Sequence, residues 1–188
     1  MSGLTASRIL YLHGFASCGE SNKTGELKAY FGGKNFLSPD LPPAPVDAVE
    51  MIRELINTEK INMLIGSSLG GFYATYFAEI NRMKAILINP SIRPFDTLAS
   101  YVGWQQRYCD DELFEFKSAY LEHFKLFQCD SVGKGDYLVL LQSEDEVLDY
   151  RDAMKYYKSQ RIVVEYGGNH RFENISDYLC MIQGHREK

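Results

Sequence analysis

The sequence predicts an α/β fold, a parallel sheet covered by helices on both faces, and two observations carry that prediction. Apolar runs of strand length recur along the chain, and the stretches between them keep helical spacing. The runs are apolar at consecutive rather than alternate positions, the pattern of strands buried on both faces of a parallel sheet. Strand alternating with helix implies βαβ units with right-handed crossovers. A chain of 188 residues has the size of one compact domain, so residues 1–188 are read as a single unit.

Ile9-Leu-Tyr-Leu12 is the first expected strand and Asn35-Phe-Leu37 the second. The proline-rich stretch Pro39–Pro45 is short and reads as a rigid loop. It leads into a helix with Val49, Ile52 and Ile56 on one side. After a third strand, Met63-Leu-Ile65, the residues Leu69, Phe72, Tyr73, Tyr76, Phe77 and Ile80 keep the i, i+3, i+4, i+7, i+8, i+11 spacing of one helix face. Ala85-Ile-Leu-Ile88, Leu138-Val-Leu-Leu141 and Ile162-Val-Val164 complete the strands. Residues 91–130 break the alternation. Nine of the 36 residues from Ile92 to Phe127 are aromatic, and Leu113, Phe116, Tyr120, Phe124 and Phe127 keep helical spacing. A helical cap insertion is expected there, with a plain pair of crossover helices as the alternative.

Hydrophobic residues make up 45% and charged residues 24%, a balance that excludes wholesale disorder and fibrous repeats. A net charge of −5 and a pI near 5.4 argue against a surface built to neutralise phosphate backbone, so no nucleic-acid partner is expected. No membrane span is expected either, because no window reaches roughly 18 apolar residues. Met1–Arg8 lacks the apolar stretch of a secretory signal, and the expected location is cytoplasmic. Cys18, Cys109, Cys129 and Cys180 stand far apart with no Cys-x-x-Cys pair. Zinc is therefore not expected, and the thiols are expected to be reduced packing residues.

The sharpest chemical signal is Ile65-Gly-Ser-Ser-Leu-Gly-Gly71. This Gly-x-Ser-x-Gly directly follows a buried strand and directly opens a helix, the setting of a serine held on a tight strand-to-helix turn. Ser68 is the candidate nucleophile; Ser67 is out of register, because Ile65 rather than glycine precedes it by two. A neutral hydroxyl needs a general base, and the base needs a carboxylate to fix its tautomer. In this arrangement the order along the chain is Ser, then Asp or Glu, then His.

His170 follows the last strand in the loop Gly167-Gly-Asn-His170 and is the candidate base. Of the other histidines, His13 lies at the first strand–loop junction, His123 falls among the aromatics of the insertion, and His185 is expected to be solvated in a charged tail. Among Glu144, Asp145, Glu146 and Asp149, Asp145 is the candidate acid by position, and Asp149 is expected to cap a helix starting near Tyr150. The oxyanion would be held by the Leu69 N–H, first in the helix, and by the Phe15 N–H in His13-Gly14-Phe15. Gly14 would permit close approach and His13 would brace the loop beside the substrate. Aromatics from Phe95 to Phe127, including the single tryptophan Trp104, would supply an apolar wall for an acyl chain.

Tyr11-Leu-His-Gly-Phe15, Ile65–Gly71, Leu87-Ile-Asn-Pro90, Leu141-Gln142 with Asp145–Tyr150, and Gly167-Gly-Asn-His170 stand in the order and approximate spacing of a known group. Nearly the whole chain resembles the α/β-hydrolase superfamily, and within it the small YqiA-type bacterial esterases. The resemblance implies a three-layer α/β-hydrolase fold with a mostly parallel sheet, lacking the leading antiparallel strands of larger members. It implies cleavage of a small-molecule acyl ester or acyl-CoA thioester through Ser68, Asp145 and His170, with no metal and no organic cofactor. Rival readings keep the triad for carbon–carbon, peptide or perhydrolytic chemistry, or make the chain a catalytically silent scaffold on the same fold.

Overall fold

The computed structural model describes residues 8–187. The chain opens with β1 (Arg8–Leu12), α1 (Asn22–Phe31), β2 (Phe36–Leu37) and α2 (Pro45–Thr58), followed by β3 (Ile61–Ser67), α3 (Leu69–Asn81) and β4 (Lys84–Ile88). The insertion holds α4 (Pro94–Thr97), β5 (Gly103–Gln106), β6 (Leu113–Phe116) and α5 (Ala119–Lys125). Then come β7 (Asp136–Gln142), α6 (Tyr150–Tyr156), β8 (Arg161–Glu165) and α7 (Leu179–Glu187). Six strands form one sheet in the order β2-β1-β3-β4-β7-β8, and every neighbouring pair in it is parallel.

Successive side chains of a strand point to opposite faces, and both faces here are covered. Ile9, Tyr11, Met63, Ile65, Ile86 and Ile88 pack with Leu27, Phe31 and Ile182 from α1 and α7. Leu10, Leu12, Leu64, Ala85 and Leu87 pack with Val49, Ile52, Phe72 and Phe77 from α2 and α3, and with Phe124 from α5. The uninterrupted apolar runs in the sequence are the direct consequence. Because all six strands run the same way, the loops after β1, β3, β4, β7 and β8 emerge on one rim, the edge where open α/β sheets carry their sites. Among the described residues no helix is long and apolar enough to cross a membrane.

Three expectations need correction. The insertion is only partly helical, since residues 103–116 form the antiparallel β5–β6 hairpin. Phe114 and Phe116 face inward and ring Phe15, with centroids 5.8 and 5.0 Å from it; that alternation is strand periodicity, which the helical spacing of Leu113 and Phe116 concealed. His185 is buried rather than solvated, and its Nε2 lies 3.1 Å from the Asp136 carbonyl. Cys18 and Cys109 are joined in a disulfide, Cα to Cα 6.2 Å, while Cys129 and Cys180 are free.

The disulfide ties the hairpin tip to the loop after β1. Beside it the Tyr108 N–H donates to the Ala16 carbonyl at 2.8 Å, and Arg107 reaches Asp40 at 2.9 Å. The bond spans 91 residues of sequence, and a disulfide typically contributes about 2–4 kcal/mol by constraining the unfolded chain. Thiol titration of the denatured, unreduced chain should therefore count only Cys129 and Cys180 as reactive. Reduction should lower Tm by roughly 5–15 °C; four reactive thiols before reduction would refute the pairing.

Candidate active site

Backbone packs closely on backbone where β3 turns into α3. Ser68 has φ 54° and ψ −120°, a left-handed backbone that a non-glycine residue adopts only under constraint. The constraint is packing of backbone on backbone. A Cβ at Gly70 would collide with the Leu12 carbonyl of β1, one at Gly66 would collide with the Gly70 carbonyl, and one at Gly71 would stand 2.6 Å from Pro90 Cβ. Those glycines let α3 start hard against the sheet edge, and the turn lifts the Ser68 hydroxyl off the rim. Ser67 takes no part, because its hydroxyl accepts from Lys23 Nζ at 2.9 Å. Burial pushes the pKa of that lysine down to about 8.

Ser68 Oγ lies 2.9 Å from His170 Nε2. On the far side of the ring, His170 Nδ1 lies 2.8 and 2.9 Å from the two carboxylate oxygens of Asp145. The Asp145 side chain is 2% exposed, and its Oδ1 also accepts from the backbone N–H groups of Val147 and Leu148, each at 2.8 Å. The carboxylate is thus fixed from two sides and the imidazole has one orientation left to it. Asp149, the rival acid, is committed as the N-cap of α6, accepting from the Arg151 N–H at 3.0 Å and from its guanidinium.

The loop after β1 lies against the same hydroxyl, since a Cβ at Gly14 would stand 3.2 Å from Ser68 Cβ and 3.6 Å from its Oγ. The next residue, Phe15, turns its ring into the insertion, edge-on to Tyr101, Phe114 and Phe116. The Leu69 N–H, first of α3, has no acceptor within its own helix. His13 is buried and braces this loop. Its Nε2 accepts from the Leu41 N–H at 2.8 Å, and its Nδ1 lies 2.8 Å from the Gly14 carbonyl, which makes it a neutral ring protonated on Nδ1.

Trp104 is not brought to this cluster. It is 72% exposed and paired across the hairpin with Glu115, on the face opposite Phe114 and Phe116, because a strand sends alternate side chains to opposite sides. Sequence reasoning also passed over the supports beneath the histidine loop. Glu146 Oε2 accepts the His170 N–H at 3.0 Å, and Gln142 Oε1 accepts the Asn169 N–H at 2.9 Å. Gln142 Nε2 in turn donates to Glu165 and Asn174, each at 2.7 Å. The only sequence signal of Gln142 is a polar residue at the end of an apolar strand, whereas Glu146 stands among the candidate acids without this role. Among the described residues, Cys18, Cys109 and Asp110 have metal-ligand chemistry within reach of one another, but the two sulfurs are bonded together and Arg107 occupies the cluster.

The uncharacterised protein family UPF0227 matches residues 8–185 of the chain. A UPF0227 protein YcfP of Salmonella paratyphi A is 24% identical, with 93% of this chain and 96% of that protein covered. A UPF0227 protein of Citrobacter koseri is also 24% identical, with the same 93% and 96% coverage. Among solved structures, the mouse alpha/beta hydrolase domain-containing protein 10 superposes with a TM-score of 0.77 at 14% identity, covering 98% of this chain and 90% of that one. Est1E from Butyrivibrio proteoclasticus, solved with ferulic acid bound, gives 0.74 at 13% identity, covering 97% and 90%. At these identities the likeness establishes the fold: this is an α/β-hydrolase fold with a mostly parallel sheet.

Burial holds the His13 pKa below the ordinary 6.5. The unfolded chain takes up a proton on this residue as pH falls through 6.5, and the folded chain resists it. The stability His13 contributes is therefore complete above pH 6.5 and is lost as pH falls through the lower folded value. Nitrogen-15 NMR should show His13 as the Nδ1–H tautomer at pH 6.5, with its titration midpoint below that pH; a midpoint at or above 6.5 would contradict the bracing role.

Proposed function

We propose that this chain, which belongs to the UPF0227 family, is a serine hydrolase that cleaves small acyl esters or thioesters through an acyl-enzyme. The observation that carries the reading is the relay from Ser68 Oγ to His170 Nε2 at 2.9 Å and from His170 Nδ1 to Asp145 at 2.8 Å. Hydrolase-fold neighbours such as Est1E and a putative hydrolase from Agrobacterium vitis S4, TM-score 0.76 at 15% identity over 96% of this chain and 88% of that one, support it by analogy of fold.

In this reading Ser68 Oγ attacks the acyl carbonyl while His170 Nε2 takes its proton, and Asp145 stabilises the imidazolium that forms. The Phe15 and Leu69 N–H groups donate to the developing oxyanion. His170 returns the proton to the leaving alkoxide or thiolate, leaving the acyl group esterified to Ser68. Water, deprotonated by the same imidazole, then attacks the acyl-enzyme; the acyl–Oγ bond breaks, His170 returns the proton to Ser68 Oγ, and the carboxylic acid is released. Each step draws on this chain's own residues, and none calls for a metal or organic cofactor. The acyl chain would lie against the half-buried rings of Phe15, Tyr101 and Phe114 rather than against outward-facing Trp104.

A fluorophosphonate should label the native chain on Ser68, and Ser68→Ala should abolish both the label and ester turnover, a loss on the order of 10⁶-fold in kcat. Asp145→Asn should cost about 10⁴-fold by leaving the imidazole in the wrong tautomer. Labelling that survives in Ser68→Ala would move the nucleophile to another side chain and overturn the reading, and a folded chain that takes no label would overturn it in favour of a silent binding or scaffold protein. Across a panel of acyl esters, acyl-CoAs and peptides, Phe114→Ala should shift the acyl-chain preference and Trp104→Ala should leave it unchanged. The reverse pattern would move the acyl site to the outer face of the hairpin.

A further inference from the structure

The three loops that bring Ser68, Asp145 and His170 together are far apart in sequence, and one short segment touches all of them. It is Ile88–Ser91, at the end of β4. The Ile88 carbonyl accepts the Ser68 N–H at 3.0 Å, and the Ser91 N–H donates to the Ser68 carbonyl at 2.9 Å, so the serine turn is held on both sides. Between these two residues stands Asn89, 2% exposed and left-handed at φ 40°. Its N–H donates to the Leu140 carbonyl of β7 at 2.9 Å. Its Oδ1 accepts the Gln142 N–H at 2.9 Å, three residues before Asp145. Its Nδ2 donates to the Asn169 carbonyl at 3.0 Å and lies 3.4 Å from that of His170.

Resting on the hydrolase reading above, we infer that Asn89 is a positioning residue for the reaction: its carboxamide sets the separation between the Asp145 loop and the His170 loop, and its backbone sets both against Ser68. It touches no reacting atom. The requirements converge on asparagine alone. Aspartate has the same shape and keeps the acceptor, but it loses the donor and turns a carboxylate oxygen toward the Asn169 and His170 carbonyls. Glycine adopts the left-handed backbone freely but spans nothing. Other side chains of the right length resist φ 40°. Removing this side chain frees the His170 loop to shift against Asp145, and displacement of a catalytic group by about 1 Å costs about 100-fold in rate.

The test compares Asn89→Asp and Asn89→Gly with the wild type and with Glu79→Gln. Glu79 accepts the N–H groups of Gly133, Lys134 and Gly135 before β7, at the sheet edge opposite the site, so its substitution loosens the fold without touching the triad loops. Turnover is counted per folded molecule, well below each variant's Tm. Both Asn89 variants should lose about 100-fold in kcat and in the rate of fluorophosphonate labelling, with KM changed by less than about threefold. Glu79→Gln should lose stability and keep its kcat. A kcat within about twofold of wild type in either Asn89 variant overturns the inference. So does failure of both to fold, or an equal loss of kcat in Glu79→Gln, since the residue would then serve the fold alone. Loss of the hydrolase reading itself has a separate signature, label persisting in Ser68→Ala.

Discussion

Ser68 is held in a left-handed turn, and the site is organised around what that turn demands. A non-glycine residue at φ 54° costs on the order of 1–3 kcal/mol unless its surroundings over-determine it. Here they do so through contact distances that only glycine permits at positions 66, 70 and 71. The close seat of α3 on β1 and β3 fixes the hydroxyl above the rim, and in the proposed reaction the Leu69 N–H at the same helix start would donate to the developing oxyanion.

The parallel sheet supplies the rest of the convergence. Strands running in one direction deliver their following loops to one edge, so β1 brings Gly14 and Phe15, β7 brings Asp145 and β8 brings His170 to Ser68, the residue that follows β3. The edge alone does not fix distances of 2.8–2.9 Å. Those come from hydrogen bonds within and between the loops: the Val147 and Leu148 N–H groups on Asp145, Gln142 and Glu146 on the histidine loop, and Asn89 across all three. Polar side chains placed at the ends of apolar strands can cross-link loops because each finds its partners there and leaves few groups unpaired in the interior.

Much of this was legible in the sequence. Six apolar runs became the six strands, and Gly-x-Ser-x-Gly between strand and helix located Ser68 because its glycines obey a steric rule that needs no knowledge of distant residues. Asp145 and Asp149 could be told apart by position, one close to the strand end and one directly before a helix. What stayed hidden depends on contacts between distant segments. The Cys18–Cys109 pair is invisible without the hairpin that carries Cys109 back to the first loop. Trp104 faces out because its segment is a strand, and a spacing of three between Leu113 and Phe116 fits a helix as readily as a short strand. His185 sits in a charged tail whose burial is decided by Asp136 and Lys84, far away in the chain. Asn89 and Gln142 read in sequence as strand ends and acquire a purpose only when the loops they join are seen side by side.

The most direct test of the central claim, that one hydroxyl on a strained turn meets a prepared base and a prepared anion cradle, is a crystal structure of the chain after reaction with an organophosphate ester. The account predicts phosphorus bonded to Ser68 Oγ, with a phosphoryl oxygen within hydrogen-bonding distance of the Phe15 and Leu69 N–H groups and His170 still against Asp145. Phosphorus on another side chain, or a phosphoryl oxygen turned away from both amides, would contradict it.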